Sequence, residues 1–186
     1  MKKFLAIFAI GLVVLFNFHV RAEENNMTDK KVLVAYFSAT GTTAGVAERL
    51  AQATGGDLFE IKPEQPYTEA DLNWRDKQSR SSVEMDDMSS RPAIASRVAD
   101  MSQYNVVFVG FPIWWYREPS IIDTFMEAYD FTGKTVVPFA TSGMSPIGMS
   151  GQNMQKLAPQ AKVLEGKRFP SNVSEVELKQ WSDEWL

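Results

Sequence analysis

The chain has 186 residues, a formal net charge of −4, one histidine and no cysteine. Without cysteine it has no thiol nucleophile and no disulfide. Because His19 lies in a segment that we expect to be removed, neither a zinc site of the usual kind nor a Ser-His-Asp triad is expected. The acidic charge argues against a nucleic-acid partner, whose phosphates need a basic face.

Residues 1–22 have the pattern of a secretory signal peptide. Two lysines precede an apolar run over 4–16, and Val20 and Ala22 occupy positions −3 and −1 of a cleavage site after Ala22. A membrane-spanning helix needs roughly 20 apolar residues, and Asn17 ends this run earlier. We therefore expect a cleaved signal and no stable membrane span. The two lysines are not a twin-arginine pair, which favours export of the unfolded chain.

Cleavage would leave a linker over 23–30 and a single domain over 31–186. Since three positive charges leave with the signal peptide, the formal net charge of the remaining 164 residues is −7. A chain of this length can bury a substantial core. We expect the mature protein to be exported, to the periplasm.

The first half of the domain alternates between strand and helix patterns. VLVAYF (32–37) is a continuous apolar run, which predicts a strand buried on both faces. After the loop at 38–43, a helix is predicted that ends at Gly55. LFEI (58–61) predicts a second strand, and the polar, proline-containing stretch over 62–91 predicts an irregular excursion.

The same alternation continues in the second half. Pro92 predicts the first turn of another helix, whose apolar face would consist of Ile94, Val98 and Met101. VVFVG (106–110) predicts a third strand, Pro119 a third helix and TVVPFA (135–140) a fourth strand. Pro138 lacks a backbone donor, so we expect it at the C-terminal end of that strand or at a bulge.

The chain ends with a weak fifth strand, AKVL (161–164), and a helix whose capping box consists of Ser174 and Glu177. Strands that are apolar throughout and that alternate with helices predict an α/β fold, in which both faces of a doubly wound five-stranded parallel sheet are covered by helices.

Three unusual loops follow the first, third and fourth strands. They are SATGTT (38–43), FPIWWYRE (111–118) and TSGMSPIGMS (141–150). In an open parallel sheet, ligands bind at the carboxyl ends of the strands near the point where strand order reverses. We therefore expect the three loops to converge on one ligand site.

The loop at 38–43 is suited to hold a phosphate group. It opens a helix, where backbone amides and the positive end of the macrodipole attract anions. Gly41 allows the backbone to approach a ligand closely, and the hydroxyls around it can donate hydrogen bonds. The alternative is a hydroxyl-rich helix cap without a ligand. No G-x-G-x-x-G pattern is present at this turn, so binding of a dinucleotide in the Rossmann manner is not supported.

Trp114, Trp115 and Tyr116 are consecutive in the second loop. Aromatic residues in a core follow strand or helix spacing, so at least one of these is expected near solvent, as a stacking platform for a flat ring. The alternative is a hydrophobic corner that closes the end of the sheet. The third loop can offer backbone donors and acceptors to a ring edge because it contains glycine and serine.

Together these segments resemble the flavodoxin family. SATGTT is similar to the flavodoxin phosphate loop, hydroxyl-x-T-G-x-T, and VVFVGFPIWWYREPSIIDTF and GKTVVPFATSGMS are similar to the third and fourth strand–loop units of a flavodoxin-like subgroup. The resemblance covers about residues 31–166. It implies a flavodoxin-like three-layer sandwich with strand order 2-1-3-4-5 and non-covalently bound FMN.

The resemblance also implies which residues bind the cofactor. The phosphate would be held by Ser38, Thr40, Gly41, Thr42 and Thr43. The isoalloxazine ring would be flanked by Pro112, Ile113, Trp114, Trp115 and Tyr116, with Trp114 or Trp115 stacking on it. The ring or the ribityl chain would be lined by Thr141, Ser142 and Gly143. The sequence departs from the family in two respects, since no aromatic residue follows the fourth strand between 141 and 150 and Met144 replaces a usual glycine.

Three functions are consistent with these residues. The first is an FMN-binding electron-transfer protein with a redox partner protein, whose neutral phosphate loop and acidic surface would lower the flavin potential, with Arg117 opposing this if it lies over the ring. The second is an FMN-dependent NAD(P)H quinone or flavin reductase. In it, residues 62–91 would form a lid or a nicotinamide-phosphate site, drawing on Tyr67, Trp74, Arg80 and Arg91. The third is an exported binding module that keeps the fold without a cofactor, because unfolded export would leave FMN behind.

Overall fold

The computed structural model describes residues 30–186, so the predicted signal peptide and residues 23–29 of the predicted linker lie outside the described residues. The strands are β1 (Val32–Tyr36), β2 (Asp57–Glu60), β3 (Val106–Pro112), β4 (Thr135–Thr141), β5 (Lys162–Val163) and β6 (Lys167–Phe169). The α-helices are α1 (Thr42–Thr54), α2 (Arg80–Asp86), α3 (Ser120–Glu127), α4 (Ser150–Leu157) and α5 (Glu175–Ser182).

The strands form one parallel sheet in the order β2-β1-β3-β4-β5, and β6 pairs with β4 as well. The predicted fold class and strand order are therefore confirmed, with β6 as an additional strand. β3 lies between β1 and β4, and Phe108 is in register with Val34 on one side and Val137 on the other. β2 lies on one side of β1, and β3 lies on the other, so the strand order reverses between β1 and β3. Folds of this kind bind ligands at such a point.

The sheet separates two apolar cores, because successive side chains of each strand point to opposite faces. Leu33 and Ala35 of β1 face one core, and Val32 and Val34 face the other. The first core is covered by α3 and α4, through Ile121, Ile122, Phe125, Met126 and Met154. The second core is covered by α1 and α5, through Val46, Ala47, Leu50 and Leu178.

Pro138 lies in the middle of β4, in register with Val109 of β3. The expectation that it sits at the end of the strand is wrong. Proline is tolerated inside β4 because the strand edge that pairs with β4 on the other side is interrupted at this position. β5 pairs with β4 before Pro138 and β6 pairs after it. Between them, Gly166 packs so closely on the Pro138 carbonyl that a Cβ there would lie 2.3 Å from the oxygen.

The helix predicted from Pro92 is not formed, since residues 91–100 contain no helical turn. Instead, the Ala95 amide donates to the Lys62 carbonyl and the Glu64 amide donates to the Ala93 carbonyl, both at 2.8 Å. Antiparallel pairing with residues 62–64 thus satisfies the backbone. Only a single 3₁₀ turn follows, at Met101–Gln103.

The predicted start of the last helix is confirmed in part. The Ser174 hydroxyl accepts a hydrogen bond from the Glu177 amide at 3.1 Å, which is one half of a capping box. The Glu177 carboxylate instead lies 3.6 Å from Lys167 of β6. Elsewhere within residues 30–186, no helix combines the length and the apolar character that crossing a membrane requires.

Replacing Gly110 with Ala is expected to destabilise the fold. A Cβ at Gly110 would lie 2.2 Å from the ring of Phe139, which is fully buried and cannot move aside. We expect the free energy of unfolding to fall by about 1–3 kcal/mol, as for other overpacked cores. Urea denaturation of the cofactor-free protein measures this change.

Gly45→Ala is the matched control. A Cβ there meets only the Arg49 guanidinium, at 3.7 Å, and alanine is favoured over glycine inside a helix by about 1 kcal/mol. The control should therefore be as stable as the original protein or more stable. Equal stability of Gly110→Ala and the unaltered protein would contradict the prediction.

Candidate functional site

The loops after β1, β3 and β4 lie side by side at the carboxyl edge of the sheet. The Phe37 amide donates to the Gly110 carbonyl at 2.9 Å, and the Ile113 amide donates to the Thr141 carbonyl at 3.0 Å. The hydroxyls of Thr43 and Thr141 are buried and 2.8 Å apart. The three segments singled out in the sequence therefore meet at one continuous edge.

The loop at 38–43 ends at the N-terminus of α1. Gly41 is the N-cap residue with φ of +84°, and within residues 30–186 no side chain caps the helix there. The first turn of α1 carries no acidic residue. The Ser38 Oγ is buried and has no hydrogen-bond partner in the described part of the chain. Uncapped amides at the positive end of a helix dipole attract anions, and an anion there would also satisfy Ser38.

The five predicted phosphate ligands are not equivalent. Thr40, Gly41 and Thr42 are exposed at the helix terminus, Ser38 is half-buried and Thr43 is buried. The Thr43 hydroxyl is already hydrogen-bonded to Thr141. The side chain of Thr43 therefore connects the first loop to β4, and its contribution to a ligand would come from the backbone amide.

Residues 114–117 form a tight turn with unusual backbone angles. Trp114 and Arg117 exchange two backbone hydrogen bonds, at 3.0 and 3.1 Å. Trp115 and Tyr116 between them have φ of +43° and +68°. Two left-handed residues are typical of a type I′ turn, which Asn and Gly usually occupy, and other residues cost about 1–2 kcal/mol each.

Two features follow from this strained turn. The side chains of Trp115 and Tyr116 project from the edge and are 43% and 77% exposed. The Tyr116 carbonyl approaches Gly148 so closely that a Cβ at Gly148 would lie 2.6 Å from the oxygen. Strain of this kind concentrates at functional sites, and here it presents two aromatic rings beside the third loop.

Trp114 is held in place by the excursion that follows β2. Its ring packs edge-on against Phe37 at 5.5 Å and against Tyr67 at 5.3 Å between ring centres. The Tyr67 hydroxyl donates to Glu84, and the Arg80 guanidinium lies 4.1 Å from the centre of the Tyr67 ring. Burial and the Glu84 carboxylate raise the pKa of Tyr67, so the phenol remains a donor.

Arg117 is paired with buried carboxylates at the end of the turn. Its guanidinium lies 3.2 Å from Asp123 and 3.7 Å from Glu118, and both carboxylates are buried. Asn153 also donates to Glu118, at 3.1 Å. The condition under which Arg117 would raise a flavin potential, a position over the ring, is thus not favoured, because two buried carboxylates hold the cation.

Asp123 is the most perturbed carboxyl group in this cluster. Burial is the main reason that its pKa is raised to about 6, and the charge of Glu118 adds to the effect, while Arg117 and Arg91 oppose it. One of its oxygens, Oδ1, is buried without a hydrogen-bond partner among the described residues. The hydrogen bonds and ion pairs of Asp123 thus offset only part of the cost of burying its negative charge.

The two arginines that the sequence offers as ligands of a nicotinamide phosphate also form ion pairs within the chain. Arg80 forms an ion pair with Glu84 at 2.7 Å and donates to the Gln65 carbonyl. Arg91 donates to both carboxylate oxygens of Glu127, each at 2.8 Å. Neither guanidinium is available as the anchor of a nicotinamide phosphate without breaking these pairs.

A cavity of about 420 Å³ lies against the aromatic turn. It is lined by Ile113, Trp114, Trp115, Tyr116, Ser145, Leu72, Trp74 and Ser81. Four of the five residues predicted to flank a ring are in this lining. Pro112 is not, since it ends β3 in register with Thr141.

The residues predicted to line the ring or the ribityl chain are close to the cavity but do not line it. Thr141 ends β4 and contacts Thr43, Ser142 donates its hydroxyl to the Ser145 carbonyl, and Gly143 is exposed. Ser145 lines the cavity instead. Leu72, Ser81 and Ser145 carry no signal in the sequence that marks them as site residues, whereas Trp74 is recognisable as an aromatic residue in a polar stretch.

The comparison with known proteins agrees with this geometry. Residues 31–185 match a family model described as flavodoxin. No curated protein matches the chain.

Three similar solved structures cover nearly the same part of the chain. A candidate flavoprotein from Bacteroides eggerthii DSM 20697 has 53% identity and a TM-score of 0.78, covering 83% of this chain and 96% of that one. Another from Bacteroides uniformis ATCC 8492 has 49% identity and a TM-score of 0.78, covering 83% and 98%. A flavoprotein in complex with FMN from Lactobacillus acidophilus NCFM has 22% identity and a TM-score of 0.63, covering 82% and 99%, and shares the fold.

Replacing Asp123 with Asn is expected to stabilise the protein above neutral pH. The pKa is about 6 in the folded protein and about 3.9 in an unfolded chain. The folded state therefore loses stability as the pH rises from about 4 to about 6, and does not recover it at higher pH. A difference of about two between the pKa values corresponds to at most about 3 kcal/mol.

Urea denaturation of both proteins from about pH 4 to pH 8 checks this. The stability difference between Asp123→Asn and the unaltered protein should be near zero at the acidic end and should reach its full value above pH 7. Glu69→Gln, at an exposed position, is the control and should show no such rise. A variant less stable than the original protein at pH 7.5 would contradict the assignment.

Proposed function

The chain belongs to the flavodoxin family, and we propose that it is an exported electron-transfer protein that binds FMN non-covalently. The observation that carries the proposal is the buried, unpartnered Ser38 hydroxyl beside the uncapped N-terminus of α1. A phosphate monoester is the group that both features would accept. FMN combines this phosphate with a flat ring, and the aromatic turn lies at the same edge of the sheet.

The phosphate is held by neutral donors. Ser38 and the exposed hydroxyls of Thr40 and Thr42 donate to it, together with the amides of Gly41, Thr42 and Thr43. A residue with a side chain would be strained at position 41, because φ is +84° there. The hydroxyl contact of Thr43 with Thr141 keeps the loop in register with β4.

The cavity beside the turn at 114–117 would hold the ring. Trp115 offers the stacking face because it is the more exposed of the two tryptophans, while Trp114 is fixed between Phe37 and Tyr67. Ile113 lines this cavity and Pro112 precedes it at the end of β3, while Ser142 and Gly143 belong to the third loop, which contributes Ser145 to the lining. When bound, FMN supplies one- and two-electron redox chemistry, and the protein orients the ring, limits its contact with water and sets its potential.

Electron transfer to a redox partner protein is favoured over nicotinamide-dependent reduction of a quinone or flavin. A reductase of that kind needs cations for the nicotinamide phosphates, and Arg80, Arg91 and Arg117 are each paired with a carboxylate. The same pairing holds the Arg117 guanidinium against Asp123 and Glu118, away from the charge of an anionic reduced flavin. A neutral phosphate loop on an acidic protein then gives a low flavin potential.

Export to the periplasm rests on the signal-peptide pattern of residues 1–22. Unfolded export requires that FMN is acquired outside the cytoplasm. This is also the argument for the alternative of a cofactor-free binding module, so the absorption spectrum of protein purified from the exported fraction discriminates between the two. Bound flavin supports the proposal, and colourless protein that leaves the fluorescence of added FMN unchanged refutes it.

Ser38→Ala is expected to weaken FMN binding about 10- to 100-fold, because a hydrogen bond to a charged group contributes about 1.5–3 kcal/mol. Riboflavin has the same ring without the phosphate, so its affinity should be unchanged. Both dissociation constants follow from quenching of flavin fluorescence. Ser96→Ala, in an exposed position away from the site, is the control. Equal losses for FMN and riboflavin would remove Ser38 from the phosphate site.

The FMN-loaded protein is expected to oxidise reduced nicotinamide slowly and without saturation, since Arg80 and Arg91, the arginines considered for the nicotinamide phosphates, are paired with carboxylates. Steady-state kinetics with NADH and NADPH in the presence of a quinone measure this. An otherwise identical assay with dithionite-reduced protein tests whether the flavin can pass electrons on. Saturable turnover of either nicotinamide would support the reductase instead.

A further inference from the structure

A second and larger cavity adjoins the one beside the aromatic turn. Its volume is about 990 Å³, within the range of small-molecule sites. Trp74 and Trp115 line both cavities, so the two spaces share a wall. The rest of the lining comes from Arg75, Lys77, Ser82, Val83, Met85, Asp86 and Asp87.

We propose that this second cavity binds a neutral, planar aromatic molecule next to the flavin ring. The inference goes beyond the proposed function and rests on it only for the identity of the neighbouring ligand. Its first support is exposed apolar surface. Trp74 is 66% exposed, Val83 55% and Trp115 43%, and exposed apolar groups that share one cavity mark a binding site.

The charges of the lining favour a neutral occupant. Arg75 and Lys77 supply two positive charges, and Asp86 and Asp87 supply two negative charges. Asp87 accepts hydrogen bonds from the amide and the hydroxyl of Ser89, at 2.8 and 2.7 Å. A dinucleotide with its phosphates, or an organic cation, would face as much repulsion as attraction across this lining.

Trp74 also favours a flat molecule. The Arg75 guanidinium lies 5.0 Å from the centre of the Trp74 indole, which occupies one face of the ring. The opposite face can stack on an aromatic ring, as indoles prefer. Trp115 lies on the same cavity from the side of the flavin site, so the occupant would be held between the two cavities.

The wall of the cavity formed by α2 is fixed before any ligand binds. The Ser79 side chain caps α2 by accepting from the Ser82 amide. The Ser120 hydroxyl donates to the Glu84 carbonyl at 3.0 Å, which ties α2 to α3. Met85 of the lining is itself buried. A rigid wall lowers the entropic cost of binding a small ligand.

The test is equilibrium dialysis of FMN-loaded protein against 2-naphthol, which is planar, aromatic and neutral near pH 7. One equivalent is expected to bind without displacing FMN. Val83→Glu, which puts a charge into the apolar lining, should lower the affinity at least about tenfold, and Trp74→Ala should do the same. The anionic 2-naphthalenesulfonate should bind more weakly than 2-naphthol to the unaltered protein.

Val176→Glu is the matched control, since Val176 is also an exposed valine on a helix, in α5. It should bind 2-naphthol with unchanged affinity. Absence of saturable binding, displacement of FMN, or equal affinities in Val83→Glu and Val176→Glu would each overturn the proposal. FMN occupancy is measured by absorption in the same samples. A chain without FMN therefore refutes the proposed function separately, while 2-naphthol binding still tests the cavity.

Discussion

The site depends on the close packing of β3 between β1 and β4. Every residue of β3 from Val106 to Phe111 is buried, and the strand is in parallel register with both neighbours. Gly110 is part of this constraint, because the Phe139 ring of β4 occupies the space that a side chain would need. The register places the ends of three strands at one level. The three loops that leave them are consequently brought together without any contact to a ligand.

This rigid edge also explains how a strained turn is tolerated. Trp115 and Tyr116 adopt left-handed backbone angles that suit neither residue. They are fixed by the two hydrogen bonds between Trp114 and Arg117, and Arg117 is in turn held by buried carboxylates. The ion pairs around Arg117 are therefore best understood as supports of the turn. This support requires a buried carboxyl group, and burial raises the pKa of Asp123 although Arg117 and Arg91 oppose the shift.

The sheet and its loops were predictable because their signals are local. Apolar runs, a glycine at the end of α1 and hydroxyls before its first turn determine structure over a few residues. The contacts that complete the site join distant segments. The sequence could not place Trp74 and Ser145 at one cavity. Residues 62–91 around Trp74 have no regular spacing of apolar residues from which their position relative to the third loop could be predicted. The helix predicted from Pro92 failed for a related reason, because cross-strand pairing with residues 62–64 overrides a chance spacing of apolar residues.

The interruption of the sheet edge opposite Pro138 has a consequence for behaviour in solution. β5 has two residues and β6 three, so the exposed ladder is broken into pieces too short to template a strand from another molecule. Lys162 and Lys167 add positive charge along the same edge, and β2 at the opposite edge begins and ends with the carboxylates of Asp57 and Glu60. Both margins of the sheet are thus protected against intermolecular extension. The export proposed above would require the chain to fold after crossing a membrane, and margins of this kind would resist aggregation during that step.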